Sequence, residues 1–332
     1  MNEGLRALTG RRLLIVTGKG GTGKSTLAAA LGLLVARQGI DTVVVEVGDP
    51  PDLPRLFGSD PGQLEGEGGR IPVAVAPNLY TLRIVPEVAL TEYLEIQLRV
   101  RTLVRLIVGN AGFRHLLDAA PGWRALITLG KLWHLQTQVW TRDDGPRWPL
   151  LIMDAPSTGH GLSFLSVPKV VLDTVRLGPL RKHTEGVQDL LKDPSRTLVL
   201  PVTLPEELPV TETLDICSHV RELGLALGPL TANAVESAPE IPDLDAVLHE
   251  IARNSRETEA PQVLAPDVIR ICVEHRRRRA ALQQGFLEKL RKESGAALLT
   301  LPYLSNGIED TKGLAALAEE LERQLETWEP LT

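Results

Sequence analysis

The stretch Gly18 to Thr26, GKGGTGKST, has the residue types and spacing to hold a chain of phosphates. Gly18, Gly23, Lys24 and Ser25 fit G-x-x-x-x-G-K-[ST], the pattern of a P-loop. Glycine has no Cβ, so Gly18, Gly20, Gly21 and Gly23 let main-chain N–H groups turn inward around phosphate oxygens. Thr22 and Thr26 belong to the same loop. Lys24 is suited to neutralise β- and γ-phosphate charge, and Ser25 to offer a hydroxyl to Mg2+. Two carboxylates further along the chain suit hydrolysis. Asp49 could orient an attacking water. Asp154 could support Mg2+, often through a water.

The elements around these residues must bring them together. An apolar run, Leu13 to Thr17, precedes the loop, and a run rich in alanine and leucine, Leu27 to Arg37, follows it. Strand, glycine loop and helix is the context a P-loop needs, because the helix points its positive dipole end at the phosphates. Thr42 to Val47 (TVVVEV) reads as a buried parallel strand, with Asp49 just past its end. Pro149 to Asp154 (PLLIMD) reads as another strand, with Asp154 as its last residue. Ligands of α/β sheets sit at the carboxyl ends of strands, where both aspartates fall. Asp49 also fits a turn-forming aspartate before proline. Glu46 lies inside its strand and is the weaker candidate.

Composition sets the frame. The chain has 332 residues, 43% hydrophobic and 23% charged, with a net charge of −6. Aromatic residues are only 4%, so the core must be aliphatic. The acidic balance gives no reason to expect nucleic acid as a partner. No apolar signal segment opens the chain and no long uncharged apolar stretch occurs, so the expectation is a cytoplasmic protein without direct membrane insertion. Cys217 and Cys272 belong to no C-x-x-C, so no zinc is expected and both thiols read as buried and structural.

Residues 58 to 78 read as loop, and Leu79 to Val85 as a strand. Helical spacing follows over Glu87 to Val108 and over Trp123 to Trp140. Further strands are expected at Thr197 to Val202, Pro229 to Val235 and Ala296 to Leu301. Helices are expected over Leu204 to Leu223, about 265 to 293, and Asp310 to Glu326. Residues 236 to 262, acidic and proline-bearing, read as an irregular surface insertion. Arg276 to Arg279 read as a solvated helix face; the alternative is an acidic partner or nucleic acid, although no aromatic is interleaved for base stacking. The fold class is α/β, a mostly parallel P-loop sheet of about seven to eight strands flanked by helices. Residues 1–332 form one domain in this reading, with helical insertions at about 86–141 and 162–193.

Lys19 occupies a position the general pattern leaves free, and the loop reads K-G-G-x-G-K-S. This resembles the deviant Walker A signature of the MinD, ArsA and ParA class. In that class the early lysine reaches across a dimer interface to the partner's nucleotide, so the resemblance implies a nucleotide-sandwich dimer through Lys19. The alternative is a solvated loop lysine. Asp154-Ala155-Pro156-Ser157-Thr158-Gly159-His160 looks like the switch II segment of the ArsA/guided-entry ATPase family, which reads D-x-A-P-T-G-H. The family's P-E-x-x-P-x-x-E-T is matched from Pro205 to Thr213. The strand after it resembles the family's V-V-N, which makes Asn233 the adenine-reading amide; by pattern alone Asn233 is a turn residue. Pro302 and Tyr303 resemble the adenine-flanking loop.

The resemblance is dispersed over nearly the whole chain and implies a stand-alone ArsA/guided-entry ATPase, with ATP and Mg2+ as cofactors. It implies catalytic roles for Asp49, Lys19 and Lys24, and a switch that dimerises and couples nucleotide state to a hydrophobic or membrane-protein client. One motif departs. The family's switch I reads D-P-A-H-N-L-S-D, whereas here Asp49-Pro50-Pro51-Asp52-Leu53-Pro54-Arg55 lacks the His, Asn and Ser. The departure motivates an alternative, a low-turnover subunit of a heterodimer with a related ATPase. A ParA/MinD-like positioning ATPase is a third reading, against which the acidic C-terminal sequence argues.

Overall fold

Runs of β-branched and aliphatic residues form a central sheet in the computed structural model. It describes residues 2–47, 52–59, 69–98, 100–119, 122–139, 146–156, 161–257, 265–305, 307–308 and 311–328. In chain order the first elements are α1 (Glu3–Thr9), β1 (Leu13–Thr17), α2 (Lys24–Arg37), β2 (Thr42–Val47), α3 (Leu53–Leu56), β3 (Val73–Ala76) and β4 (Leu79–Ile84). Four helices follow: α4 (Pro86–Leu98), α5 (Arg101–Gly109), α6 (Ala111–Ala119) and α7 (Trp123–Thr137). Then come β5 (Leu150–Asp154), α8 (Gly161–Thr174), α9 (Pro179–Lys192), β6 (Thr197–Thr203), α10 (Glu207–Glu222) and β7 (Leu230–Val235). The rest is α11 (Leu244–Glu257), α12 (Pro266–Glu293), β8 (Leu298–Pro302) and α13 (Thr311–Glu326).

The strand order is β3-β4-β2-β5-β1-β6-β7-β8, an eight-stranded sheet as expected from the sequence. Every neighbouring pair is parallel except β3 and β4. Both faces are covered, so β1, β5 and β6 are buried along their whole length, as continuous apolar runs should be. Side chains alternate between the faces. Leu14, Val16, Val44 and Ile152 pack with α1, α2 and α13, while Leu13, Ile15, Val43, Val45 and Met153 pack with α7 and α9. A third cluster joins β7 to Cys217 of α10 and Leu287 and Leu290 of α12.

The structure corrects four readings. The loop expected over 58–78 contains β3, a short antiparallel edge strand too brief to show alternation. The irregular insertion expected over 236–262 contains α11: Leu244, Val247, Leu248 and Ile251 keep helical spacing, which outweighs the flanking prolines. Cys217 is buried, and burial pushes its thiol up to about 11, but Cys272 is exposed. The arginine run is not simply solvated. Arg279 Nε lies 2.9 Å from Glu236, a buried carboxylate, and Arg276 Nε lies 3.8 Å from it. Among the described residues no helix is long and apolar enough to cross a membrane.

Candidate functional site

The register of the three central strands sets the site. Glu46 of β2 and Val16 of β1 both pair with Asp154 of β5, so these strands end side by side. The loop after β1 crosses these ends and becomes α2. A Cβ on Gly18 would fall 2.2 Å from the Val202 carbonyl of β6, so only glycine lets the loop pass so close. Gly23 holds the N-cap of α2 at φ 92, and no side chain caps that helix end. The N–H groups of its first turn are therefore left facing the loop.

The polar side chains of the loop are tied inward. Lys24 is 5% exposed, and its Nζ donates to the Lys19 carbonyl at 3.0 Å. The same carbonyl accepts the Thr22 hydroxyl at 2.9 Å. Burial lowers the Lys24 pKa, and the charge of Asp154 opposes that shift. Ser25 Oγ donates to Asp154 Oδ2 at 2.6 Å. Asp154 is 8% exposed, and its Oδ1 is buried without a hydrogen-bond partner among the described residues. Burial pushes its carboxyl up to about 6, against the Ser25 hydrogen bond and the Lys24 charge, with Glu46 adding to the rise. A buried carboxylate oxygen without a partner costs free energy that a cation would remove. This donor set, a hydroxyl beside a carboxylate with a spare oxygen, fits Mg2+, which takes oxygen ligands and retains waters.

Glu46 has a role that strand position alone did not suggest. Its Oε2 accepts the N–H groups of Asp52 and Leu53 at 2.9 and 3.2 Å, anchoring the start of α3. Burial raises its pKa and those two backbone bonds hold it down. Asp49 lies outside the described residues, as do Ser157 to His160.

Lys19 points to α10, where its Nζ meets Glu212 at 2.7 Å, with both side chains about one third exposed. Glu212 is the second glutamate of the P-E-x-x-P-x-x-E-T match, so the signal for this contact was in the sequence, though its partner was not. Asn233 Nδ2 donates to the Thr22 carbonyl at 3.0 Å, and a Cβ on Gly23 would lie 2.1 Å from that nitrogen. The end of β7 is bent to allow this: Ala234 has φ 55, and Gln283 of α12 accepts the Glu236 N–H at 2.7 Å. Pro302 ends the neighbouring β8, and the Tyr303 N–H donates to Val235 at 2.9 Å. Asn233, Pro302 and Tyr303 thus gather at one side of the loop, with Lys24, Ser25 and Asp154 at the other. Sequence reasoning missed Gln283, which carries no motif.

A parallel sheet with a glycine loop between its central strand and a buried helix, a lysine in the loop and a carboxylate at the next strand's end, defines a P-loop nucleotide-binding fold. The profile of the family described as anion-transporting ATPase matches residues 11–182, just over half of the chain. The chain belongs to this ArsA-type ATPase family. It is 34% identical over 229 residues to the ATPase BagA of Mycobacterium tuberculosis, a match covering 68% of this chain and 66% of that one. It is 23% identical over 265 residues to an ATPase ASNA1 homolog of Entamoeba dispar, covering 67% and 76%. An arsenical pump-driving ATPase of Escherichia coli is 28% identical over 223 residues, covering 64% of this chain and 33% of that one. The chain thus spans just under two thirds of the length of the mycobacterial relative.

Proposed function

We propose that this chain is a Mg2+-dependent ATPase that dimerises around its nucleotide and changes its hold on a hydrophobic or membrane-protein client with nucleotide state. The observation that carries the reading is the Ser25–Asp154 contact with Asp154 Oδ1 left unsatisfied among the described residues, directly behind a glycine loop whose lysine is folded onto its own main chain. Ser25, and Asp154 directly or through water, would hold Mg2+, which screens phosphate charge when bound. Lys24 leaves the Lys19 carbonyl and takes phosphate oxygens. The loop N–H groups and the start of α2 hold the rest of the polyphosphate. Asp49, two residues past β2, orients the attacking water. Asn233 reads the adenine edge, with Pro302 and Tyr303 beside it.

Lys19 reaches the partner's nucleotide in the dimer, and to do so it gives up Glu212. That pair, about one third exposed, is weak, so its loss is easily offset by a phosphate contact. The helices of 86–141 and 162–193 act as the client-facing insertions. Support comes from Ile96, Val100, Leu103 and Leu106 on and beside α4 and α5, and from Val170 and Leu177 on and after α8, all exposed. One sequence feature favours a second reading, a low-turnover subunit paired with a related ATPase: switch I lacks the family's His, Asn and Ser. Nucleotide binding tests the core of the proposal. Lys24→Ala should abolish Mg·ATP binding measured by calorimetry, and unchanged affinity would sink the assignment.

A further inference from the structure

A cavity of about 400 Å³ lies between α4, α7 and α9, and none of its lining residues belongs to the phosphate loop. That size falls within the range of small-molecule sites, roughly 300–1,000 Å³. Its wall is aromatic. His183 stands edge-on between Tyr93 and Trp133, with ring centroids 5.0 and 4.6 Å away. Two glycines make room for these rings. A Cβ on Gly130 would sit 3.0 Å from His183 Nε2, and one on Gly186 would sit 2.7 Å from the Trp133 ring. The rings therefore lie directly on the helix backbones at Gly130 and Gly186.

The polar groups sort by what they already bind. Lys131 is buried, and its Nζ donates to both Glu92 oxygens at 2.7 and 2.6 Å and to the Arg70 carbonyl at 2.8 Å. Its three donors are used, and Glu92 is neutralised. Lys182, at the rim, is exposed and makes no ion pair among the described residues. Glu92, Lys131 and Lys182 are the lining residues that carry formal charge, so the cavity holds one net positive charge. His134 and His183 add none, because burial lowers both, helped by the Lys131 charge at His134. Burial keeps the Tyr93 phenol protonated, and its hydroxyl has no hydrogen-bond partner among the described residues.

We propose that this cavity binds an aromatic monocarboxylic acid. The rings of Tyr93, Trp133 and His183 pack its flat body, since aromatic pairs favour offset and edge contacts. The Lys182 ammonium and the Tyr93 hydroxyl receive its carboxylate, and the monoanion cancels the one uncompensated charge. The proposal stands apart from the nucleotide reading.

The test uses the full chain, with indole-3-acetate as probe and its neutral counterpart indole-3-acetamide, both titrated by calorimetry and by saturation-transfer NMR. The acid should bind saturably, and the amide about tenfold more weakly, the order of one charge-assisted contact. Lys182→Gln should bring the acid down to the level of the amide. Ile127→Trp, which fills the cavity, should remove binding of both probes while Mg·ATP affinity stays unchanged. Lack of saturable acid binding, or equal binding of acid and amide to the unaltered chain, would overturn the proposal. So would an unchanged preference for the acid in Lys182→Gln. Lys182 is exposed, so that variant decides the matter whether or not Ile127→Trp folds.

Discussion

The loop end of the sheet and the cavity between α4, α7 and α9 solve opposite problems. At the loop end, polar groups are buried: among the described residues Asp154 has an oxygen without a partner, and Lys24 is turned onto a main-chain carbonyl. In the helical layer the buried Lys131 is fully paired, to the half-buried Glu92 and the Arg70 carbonyl, and a cavity remains open beside it. The first arrangement stores an unmet demand for charge, which suits a site that binds cation and phosphate. The second stores volume beside one charge at its rim, Lys182, which suits a site that binds a flat body with a single anionic group. A change at the loop end should therefore alter affinity and turnover, and a change in the helical layer should alter stability and leave nucleotide affinity alone.

The largest expected effect is at Lys24. Lys24→Ala should abolish measurable Mg·ATP binding, a loss of about 100-fold or more that corresponds to at least one buried charge-assisted contact. Asp154→Asn separates function from stability. Turnover should fall by about 100-fold as the carboxylate for Mg2+ is lost. Without nucleotide, the variant should be more stable than the original chain at pH 8, by about 3 kcal/mol. The sign follows from the carboxyl lying at about 6 in the folded chain, above its ordinary value. Between that ordinary value and pH 6 the folded state binds the proton more tightly, so stability falls as pH rises through this window. The cost is complete above pH 6 and absent below pH ~4, so the gain from asparagine should vanish there. Urea melts at the two pH values read it directly.

Gly186→Ala should act on the other side of the comparison. The added methyl meets the Trp133 ring, and overpacking of this kind costs about 1–3 kcal/mol. Mg·ATP affinity should not change; a parallel loss of affinity would mean the two regions are coupled more tightly than their separate geometries suggest. The smallest effect is expected at Glu212. Glu212→Gln removes a partly exposed pair with Lys19 and should shift stability by less than ~1 kcal/mol. It should ease nucleotide-dependent dimerisation, because Lys19 no longer has a partner to leave.

The same contrast explains what could be read from the chain alone. β1, β2, β5 and β6 were legible within one or two residues because parallel strands buried on both faces leave uninterrupted apolar runs. The glycine loop was legible because its chemistry is local, with Gly18, Gly23, Lys24 and Ser25 all within one turn of chain. Glu46 as the anchor of α3 was not, since it works through backbone N–H groups that carry no sequence signal. Gln283 escaped notice for a similar reason, as it braces the bend at Ala234 from a helix almost fifty residues away. The cavity was invisible because Tyr93, Gly130, Trp133, His183 and Gly186 come from three helices and form no motif. Their meaning lies in which ring faces which glycine.

The most direct measurement of the central proposal is light scattering of the purified chain with Mg·ATP, with Mg·ADP and without nucleotide, with phosphate release followed in the same samples. The account predicts a dimer with Mg·ATP that returns to monomer as phosphate is released. A chain that binds Mg·ATP yet remains monomeric, with no phosphate released, would contradict it.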